Sequence, residues 1–199
     1  MFKEIFVLES SWDSKDPLVH NSIMPFVAEF AKQREMKAYH QIFTDSRSFK
    51  HWITEFNKSN KNGALLYIAS HGNKGSLHAL HGGINRNTVV SCLKSARNIK
   101  FVHFGSCLFG NQENLRLILK KSKHIQWVAG YYKSVDWIDS TLFDILLWGR
   151  ITPSGRANEQ KNTKTHTIVK DIVENQVQGL AKELGFNFAY RYGQTIFPK

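Results

Sequence analysis

The sequence predicts a three-layer α/β protein, with a mostly parallel six-stranded sheet and helices on both faces. The first observation is that short apolar runs alternate, nearly from end to end of the 199 residues, with segments whose apolar residues recur at helical spacing. The second is that two of the runs, residues 64–69 and 99–104, are predominantly apolar, as central strands of a parallel sheet are. Such alternation implies right-handed crossovers, which place helices over both faces.

The elements follow in chain order. Strands are predicted at residues 1–8, 38–43, 64–69, 100–105, 126–130 and 186–190. Helices are predicted between them at residues 87–95 and 111–121, and from three apolar faces: Ile23, Phe26, Val27, Phe30 and Ala31; Phe49, Trp52, Ile53 and Phe56; Ile138, Leu142, Ile145 and Leu146. A long amphipathic helix over residues 168–180, ended by Gly185, precedes the last strand.

Two segments lie outside this alternation. The glycine-rich residues 72–85 predict an insertion with a small hairpin around Gly82 and Gly83. The polar residues 152–167, which include Pro153 and Gly155, predict an exposed loop. Since no internal repeat or second domain is evident, residues 1–199 are predicted to form a single domain.

Composition points to a globular protein, with 42% hydrophobic and 13% aromatic residues. The first apolar run is too short and interrupted for a signal peptide, and no apolar stretch reaches about 18 residues, so we expect a soluble protein without a membrane span. The only two cysteines are Cys92 and Cys107, which favours a reducing, cytoplasmic setting over a disulfide framework. Cys92 lies on the apolar face of the predicted 87–95 helix and is expected to be a buried, inert thiol.

The net charge of +11 permits binding to nucleic acid or to an acidic surface. The basic residues are scattered, however, and concentrate locally only at residues 120–123 and 161–170. No zinc-finger spacing or aromatic RNA-binding motif accompanies them. The charge is therefore interpreted as a solvated basic surface, and nucleic acid is not expected as a partner.

Two tripeptides carry candidate chemistry: residues 70–72 (Ser-His-Gly) and residues 105–107 (Gly-Ser-Cys). Each comes directly after one of the two apolar runs, and residues just past the carboxyl ends of parallel strands share one crevice. A thiolate that attacks a carbonyl, and an imidazole that passes a proton to the leaving amine, are what thiol acyl transfer needs. His71 and Cys107 are therefore the candidate catalytic pair.

Two further features strengthen this hypothesis. Gly72 follows His71 directly, so its N–H and that of Cys107 are candidate donors to a developing oxyanion. Cys107 also lies just before the predicted 111–121 helix, whose positive end and a nearby imidazole favour a thiolate.

These motifs resemble the caspase-like clan of cysteine peptidases, and within it the CHAT and separase branch, as a compact stand-alone domain. The resemblance covers about residues 2–148 and includes residues 127–136, which are similar to the strand and loop where that branch places an acidic specificity residue. It implies a six-stranded caspase-like sandwich and peptide-bond hydrolysis after a chosen P1 side chain. No cofactor or metal is expected.

Two acidic residues are candidate substrate-binding groups. If Asp136 lines the P1 pocket, together with Glu9 just past the first strand, the preferred P1 residue is Arg or Lys. Two alternatives stay open: Asp136 caps the helix that begins near Trp137 while the pocket is apolar, and Glu9 belongs to a surface loop with Trp12 and Asp13.

Each other candidate also has a structural alternative. His71 is alternatively a loop or capping histidine, and Cys107 a buried thiol; His103, inside the fourth strand, is expected to be a satisfied core histidine. The leading function is a cysteine endopeptidase acting on a protein or peptide, with a regulatory protein as a further partner. A non-catalytic caspase-like module that binds a partner is the alternative from another class. A nucleotide- or nucleic-acid-binding α/β protein is least supported, because no Gly-x-Gly-x-x-Gly or Walker sequence occurs.

Overall fold

The computed structural model describes residues 2–12, 21–59, 63–152 and 164–191. Its main sheet has the strand order β2-β1-β3-β6-β7-β8, in which all neighbours are parallel except the antiparallel β7 and β8. The strands are β1 Glu4–Glu9, β2 Lys37–Ile42, β3 Ala64–Ala69, β6 Ile99–Phe104, β7 Trp127–Tyr131 and β8 Phe186–Tyr190. A separate antiparallel hairpin consists of β4 Ser76–Ala79 and β5 Gly82–Asn85. The predicted mostly parallel six-stranded sheet is confirmed.

Helices cover both faces of this sheet, as predicted. They are α1 Met24–Gln33, α2 Ser46–Ser59, α3 Arg86–Ser95, α4 Gln112–Lys121, α5 Trp137–Ile151, α6 Thr165–Asp171 and α7 Gln178–Leu184. Within the described ranges, no helix is both long and apolar enough to cross a membrane.

The sheet separates two apolar cores, because successive strand side chains point to opposite faces. In β3, for example, Leu65 and Tyr67 contribute to the core under α1, α5, α6 and α7, whereas Leu66 and Ile68 contribute to the core under α2, α3 and α4. This arrangement buries all six residues of β3.

Helix α5 buries a different face from the predicted one. Ile138 and Leu142 are 47% and 55% exposed, and Asp144 is buried instead, together with the apolar residues Phe143, Leu147, Trp148 and Ile151. Asp144 is satisfied there because the hydroxyl groups of Tyr67 and Tyr131 donate to its two carboxyl oxygens, at 2.7 and 2.5 Å. A buried polar residue with long-range partners is invisible to an analysis of apolar periodicity. In α1, likewise, Phe26 is 39% exposed rather than buried with Val27 and Phe30.

The structure refines the predicted bounds of the last helix, the hairpin and the polar loop. A π-helical turn, Ile172–Gln176, divides the predicted long helix into α6 and α7, and Gly185 ends α7 in the left-handed conformation (φ 63°) as expected. The predicted small hairpin around Gly82 and Gly83 is confirmed as β4 and β5, and both glycines lie in its second strand. Of the predicted loop 152–167, Thr152 is buried, residues 165–167 belong to α6, and residues 153–163 lie outside the described residues.

The network around Asp144 predicts a loss of stability in alkali. Burial raises the pKa of Tyr67 and Tyr131 well above the usual value, and the adjacent Asp144 raises both further. An unfolded tyrosine ionises at pH ~10, whereas Tyr67 and Tyr131 keep their protons in the folded protein. Their contribution to the free energy of unfolding is therefore complete below pH ~10 and is lost as the pH rises above it. Urea unfolding between pH 8 and pH ~11 measures this slope.

The variant Tyr67→Phe, which has nothing to ionise at this position, should lose stability at pH 8 and show a shallower decline in alkali. Tyr132→Phe, at an exposed tyrosine, is the control. Equal slopes in wild type and in Tyr67→Phe would contradict the assignment.

Candidate active site

The carboxyl ends of β3 and β6 lie side by side, because these strands are parallel neighbours with Ile68 opposite Phe104. Just beyond the strands, the Gly105 N–H donates to the Ile68 carbonyl at 2.9 Å, and the hydroxyl oxygens of Ser70 and Ser106 are 3.3 Å apart. His71 and Cys107 follow these serines directly. The two candidate catalytic residues therefore leave neighbouring strands at the same edge of the sheet.

Gly72 brings the two segments into contact. A Cβ atom at this position would lie 2.9 Å from the Cys107 carbonyl oxygen and 3.3 Å from the Ser106 Cβ, so a larger residue would push the segments apart. Gly72 also pairs with Leu77 of the hairpin. Two hydrogen bonds to the hairpin flank this pair: the His71 carbonyl accepts one at 2.8 Å, and the N–H of residue 73 donates the other at 2.9 Å. In such an antiparallel pattern the N–H of the residue between them, Gly72, points away from the hairpin.

His71 is exposed, and its ring is held by Trp12. The His71 Nε2 atom is 2.7 Å from the Trp12 carbonyl oxygen, and the two rings meet edge to face at 5.4 Å. A carbonyl only accepts hydrogen bonds, so this contact requires the proton on Nε2. In the neutral ring, Nδ1 then carries the free lone pair and is the nitrogen that can act as a base.

Cys107 is half-buried and not in a disulfide. Its Sγ atom accepts a hydrogen bond from the Val135 N–H at 3.4 Å and lies 3.9 Å from the Val135 carbonyl oxygen. Because Val135 follows β7, this contact adds a third strand end to the site. Val135 was not singled out from the sequence, since a main-chain contact leaves no sequence signal.

The backbone after Cys107 is strained. Leu108 has φ 63°, a conformation that is rare for a bulky side chain, and the Phe109 N–H donates to the Cys107 carbonyl across it at 2.7 Å. Two hydrogen bonds hold this turn against the end of β7: Leu108 N–H to Lys133 O at 3.0 Å and Gly110 N–H to Tyr131 O at 2.9 Å. Such strain persists where the surroundings impose it, and it clusters at functional sites.

Asp136 caps α5, which confirms the capping role that was left open as an alternative to P1 binding. Its Oδ1 atom accepts from the N–H groups of Ile138 and Asp139 at 2.8 and 3.0 Å. The side chain is exposed, and Oδ2 has no donor among the residues that the structure describes. The cap therefore uses only the Oδ1 oxygen of the Asp136 carboxylate. Asp136 directly follows Val135, the residue that contacts Cys107.

Glu9 does not open into the crevice, and it is not on a surface loop. It is 3% exposed, and four groups donate to its carboxylate: the Trp12 indole, the Ser22 hydroxyl, the Ile23 N–H and the His40 ring. Because these donors occupy both oxygens, Glu9 is removed from the candidate substrate-binding residues. Asp13, the other member of the surface-loop alternative, lies outside the described residues.

The expected burial of Cys92 and His103, two residues outside the candidate active site, is confirmed. Cys92 is 9% exposed, and burial raises the pKa of its thiol. His103 is fully buried, which confirms its place in the core, and its Nδ1 atom accepts from the Trp148 indole at 3.1 Å. Its Nε2 atom lies 3.0 Å from Asp144 but makes no hydrogen bond among the described residues, so the expectation that this histidine is fully satisfied is not confirmed. Across the described ranges there is no cluster of three or more histidine, cysteine or acidic residues that could bind a metal ion.

A cavity of about 540 Å³ lies at the other end of the sheet. Its walls include Trp127 at the start of β7 and Tyr190 at the end of β8, whereas Cys107 contacts the segment beyond the opposite end of β7. The cations that line the cavity are Lys123, Lys164 and Arg191. This cavity is separate from the candidate active site.

Comparisons with known proteins find the fold but no close relative. No family model and no curated protein matches the sequence. Among solved structures, the chain is similar to a secreted C11 cysteine protease from Bacteroides thetaiotaomicron in complex with an irreversible peptide inhibitor, with a TM-score of 0.53 and 10% sequence identity over 96% of this chain. The chain spans 66% of that protein's length. This likeness concerns the fold, and it confirms the caspase-like fold that the sequence predicts.

Proposed function

We propose that this chain is a cysteine endopeptidase of the CHAT and separase branch of the caspase-like clan. Cys107 is the nucleophile and His71 is its acid–base partner. The observation that carries the proposal is the contact between the two strand ends, where Gly72 stands against the Cys107 carbonyl and leaves no room for a side chain. The protein or peptide substrate, and any regulatory partner, would meet the enzyme at this edge of the sheet.

The chemistry assigns one role to each atom. His71 Nδ1 takes the Cys107 proton, and the thiolate attacks the scissile carbonyl carbon. The imidazolium returns that proton to the leaving amine as the C–N bond breaks, which leaves a thioester on Cys107. A water molecule then gives a proton to Nδ1 as its oxygen attacks the thioester carbon. The C–S bond breaks, the carboxylic acid departs, and the imidazolium returns its proton to the Cys107 sulfur to restore the thiol and the neutral imidazole. Throughout, the Trp12 carbonyl holds the Nε2 proton.

The N–H groups of Gly72 and Cys107 are proposed to bind the oxyanion of both tetrahedral intermediates. The position of Gly72 supports this role, because its N–H points away from the hairpin and its Cα lies against the backbone of Cys107. Donors aimed at the developing charge act mainly in the transition state.

P1 specificity is proposed to come from Asp136. Its neighbour Val135 contacts the Cys107 sulfur, and Oδ2 is available to the ammonium or guanidinium of a Lys or Arg side chain. Acidic P1 side chains would be repelled by the same carboxylate. A cytoplasmic location is also proposed, because a chain with only two cysteines has no disulfide framework that would need an oxidising compartment.

We expect the Asp136→Asn variant to lose preference for basic P1 residues by about 10- to 100-fold, which is the range for a hydrogen bond to a charged group. The asparagine Oδ1 still caps α5, so folding is preserved while the charge is removed. A P1 peptide library, read as kcat/KM for each residue, measures the change. A preference for Leu or Phe that is the same in both proteins would reject the acidic pocket and leave the catalytic pair untouched.

Intact-mass spectrometry after incubation with peptidyl electrophiles that differ only at P1 tests the whole proposal. One adduct should form per chain, at Cys107, and fastest with Arg or Lys at P1. Cys92→Ala, which removes the other thiol, should give the same adduct. If no electrophile reacts while a peptide still binds, the chain is instead a non-catalytic caspase-like module.

A further inference from the structure

A buried carboxylate lies next to the candidate active site without facing the substrate crevice. Glu9 is the last residue of β1, which pairs with β3, the strand that leads to His71. Its own backbone is fixed from both sides, because its carbonyl accepts from the Phe43 N–H at 2.8 Å and the following N–H donates to Ala69 O at 2.9 Å. The carboxylate is thus anchored on the sheet, one strand away from the candidate acid–base residue.

Both oxygens of Glu9 are fully engaged. Oε1 accepts from the Trp12 indole N–H at 2.6 Å and from the Ile23 N–H at 3.0 Å. Oε2 accepts from the Ser22 hydroxyl at 2.7 Å and lies 3.0 Å from His40 Nε2. Burial by itself raises the pKa of Glu9, but these four hydrogen bonds outweigh it and the pKa is lowered. At neutral pH the group is an ionised carboxylate, whose bonds are stronger than those of a neutral acceptor.

Trp12 connects this carboxylate to His71. Its indole N–H is held by Glu9, and its main-chain carbonyl accepts from His71 Nε2 at 2.7 Å. Trp12 lies beyond the end of β1, in neither a strand nor a helix, so the indole bond ties its backbone to the sheet. The hydrogen bond made by one imidazole nitrogen decides which nitrogen carries the proton, and with it the orientation of the ring.

We infer that Glu9 is a positioning residue: through the Trp12 indole it fixes the Trp12 carbonyl, which holds the His71 ring with its proton on Nε2 and its lone pair on Nδ1. The catalytic consequence rests on the proposed function, but the effect on His71 does not. Removing the Trp12 indole N–H therefore changes the tautomer and the mobility of His71 even in a protein that cannot react.

Nitrogen-15 NMR of the histidine rings tests this directly, with the His71 signals assigned by their loss in His71→Gln. Wild type should show a single Nε2–H tautomer at His71. Trp12→Phe keeps the ring and the carbonyl but removes the indole N–H, and should give a mixture of both tautomers; Glu9→Ala should do the same. Glu9→Gln retains an acceptor oxygen for the indole and should restore the wild-type pattern.

Ser22→Ala is the matched control, because it removes another Glu9 hydrogen bond but leaves the Trp12 contact in place. It should keep the wild-type His71 tautomer. An unchanged His71 spectrum in Trp12→Phe, or an equal change in Ser22→Ala, would overturn the inference.

A second measurement separates this inference from the proposed function. The alkylation rate of Cys107 by iodoacetamide, followed against pH, should fall by about 10-fold in Trp12→Phe near neutral pH, a typical loss when a group that orients a functional histidine is removed. If the His71 tautomer changes in Trp12→Phe as expected, but Cys107 of the wild type forms no peptidyl adduct, the role of Glu9 is supported and the peptidase is rejected. If the wild type forms the adduct but the His71 tautomer is unchanged in Trp12→Phe, the peptidase is supported and the role of Glu9 is rejected.

Discussion

Replacing Cys107 with alanine is expected to abolish peptide hydrolysis, with a loss of roughly four to six orders of magnitude in kcat, the scale seen when a nucleophile or its base is removed. His71→Ala should lose a similar amount. Because the two residues act as a unit, the double variant should be no slower than either single variant. The kcat of all three variants is measured with a reporter peptide that has Arg or Lys at P1. Adduct formation at Cys107 gives the concentration of active sites in the wild type.

The chain offers a matched control for the histidine. His81 is also followed by a glycine and is also exposed, but it lies at the turn of the β4–β5 hairpin. His81→Ala should keep wild-type turnover. A kcat of purified Cys107→Ala close to the wild-type value, or losses that multiply in the double variant, would reject the catalytic pair.

Gly72→Val is expected to lower kcat by about 100- to 1,000-fold while KM stays close to the wild-type value. The physical reason is that a Cβ at this position meets the Cys107 carbonyl at 2.9 Å, so the backbone must shift and the proposed oxyanion donor moves with it. An oxyanion donor acts mainly in the transition state, and losing one costs this much in turnover. Steady-state kinetics on the reporter peptide separate kcat from KM.

Gly75→Ala is the control for this prediction. It lies in the same insertion, but among the described residues a Cβ there would meet only the Asn73 side chain, at 3.8 Å. Its kcat should be unchanged. A wild-type kcat in Gly72→Val, or a defect confined to KM, would contradict the assignment of Gly72.

The position of the candidate pair is predictable from sequence because it depends on local patterns. The apolar runs before His71 and Cys107 identify buried strands, and parallel strands bring their carboxyl ends to one edge. The structure has these strands as β3 and β6, which are direct neighbours. Gly72 is also local, since it follows His71 in the chain.

The polar interior of α5 was not predictable in this way. Periodicity ranks Ile138 and Leu142 as core residues, yet the helix is rotated so that Asp144 is buried and these two are exposed. The buried face carries Phe143, Leu147, Trp148 and Ile151, and the hydroxyls of two tyrosines from β3 and β7 satisfy Asp144 among them. Those partners are 77 and 13 residues away in the chain and lie on strands, so the apolar periodicity of α5 carries no sign of them.

The sequence alone determined the α/β class, the order of strands and helices, and the two strand ends that carry His71 and Cys107, because strand and helix periodicities are local properties of the chain. Only the tertiary structure decided the surroundings of those residues: Glu9 as a buried acceptor rather than an open carboxylate, the Trp12 carbonyl on His71, and the Val135 N–H on Cys107. Two of these contacts use main-chain atoms, which every residue possesses, and all of them join segments that only the folded sheet brings together.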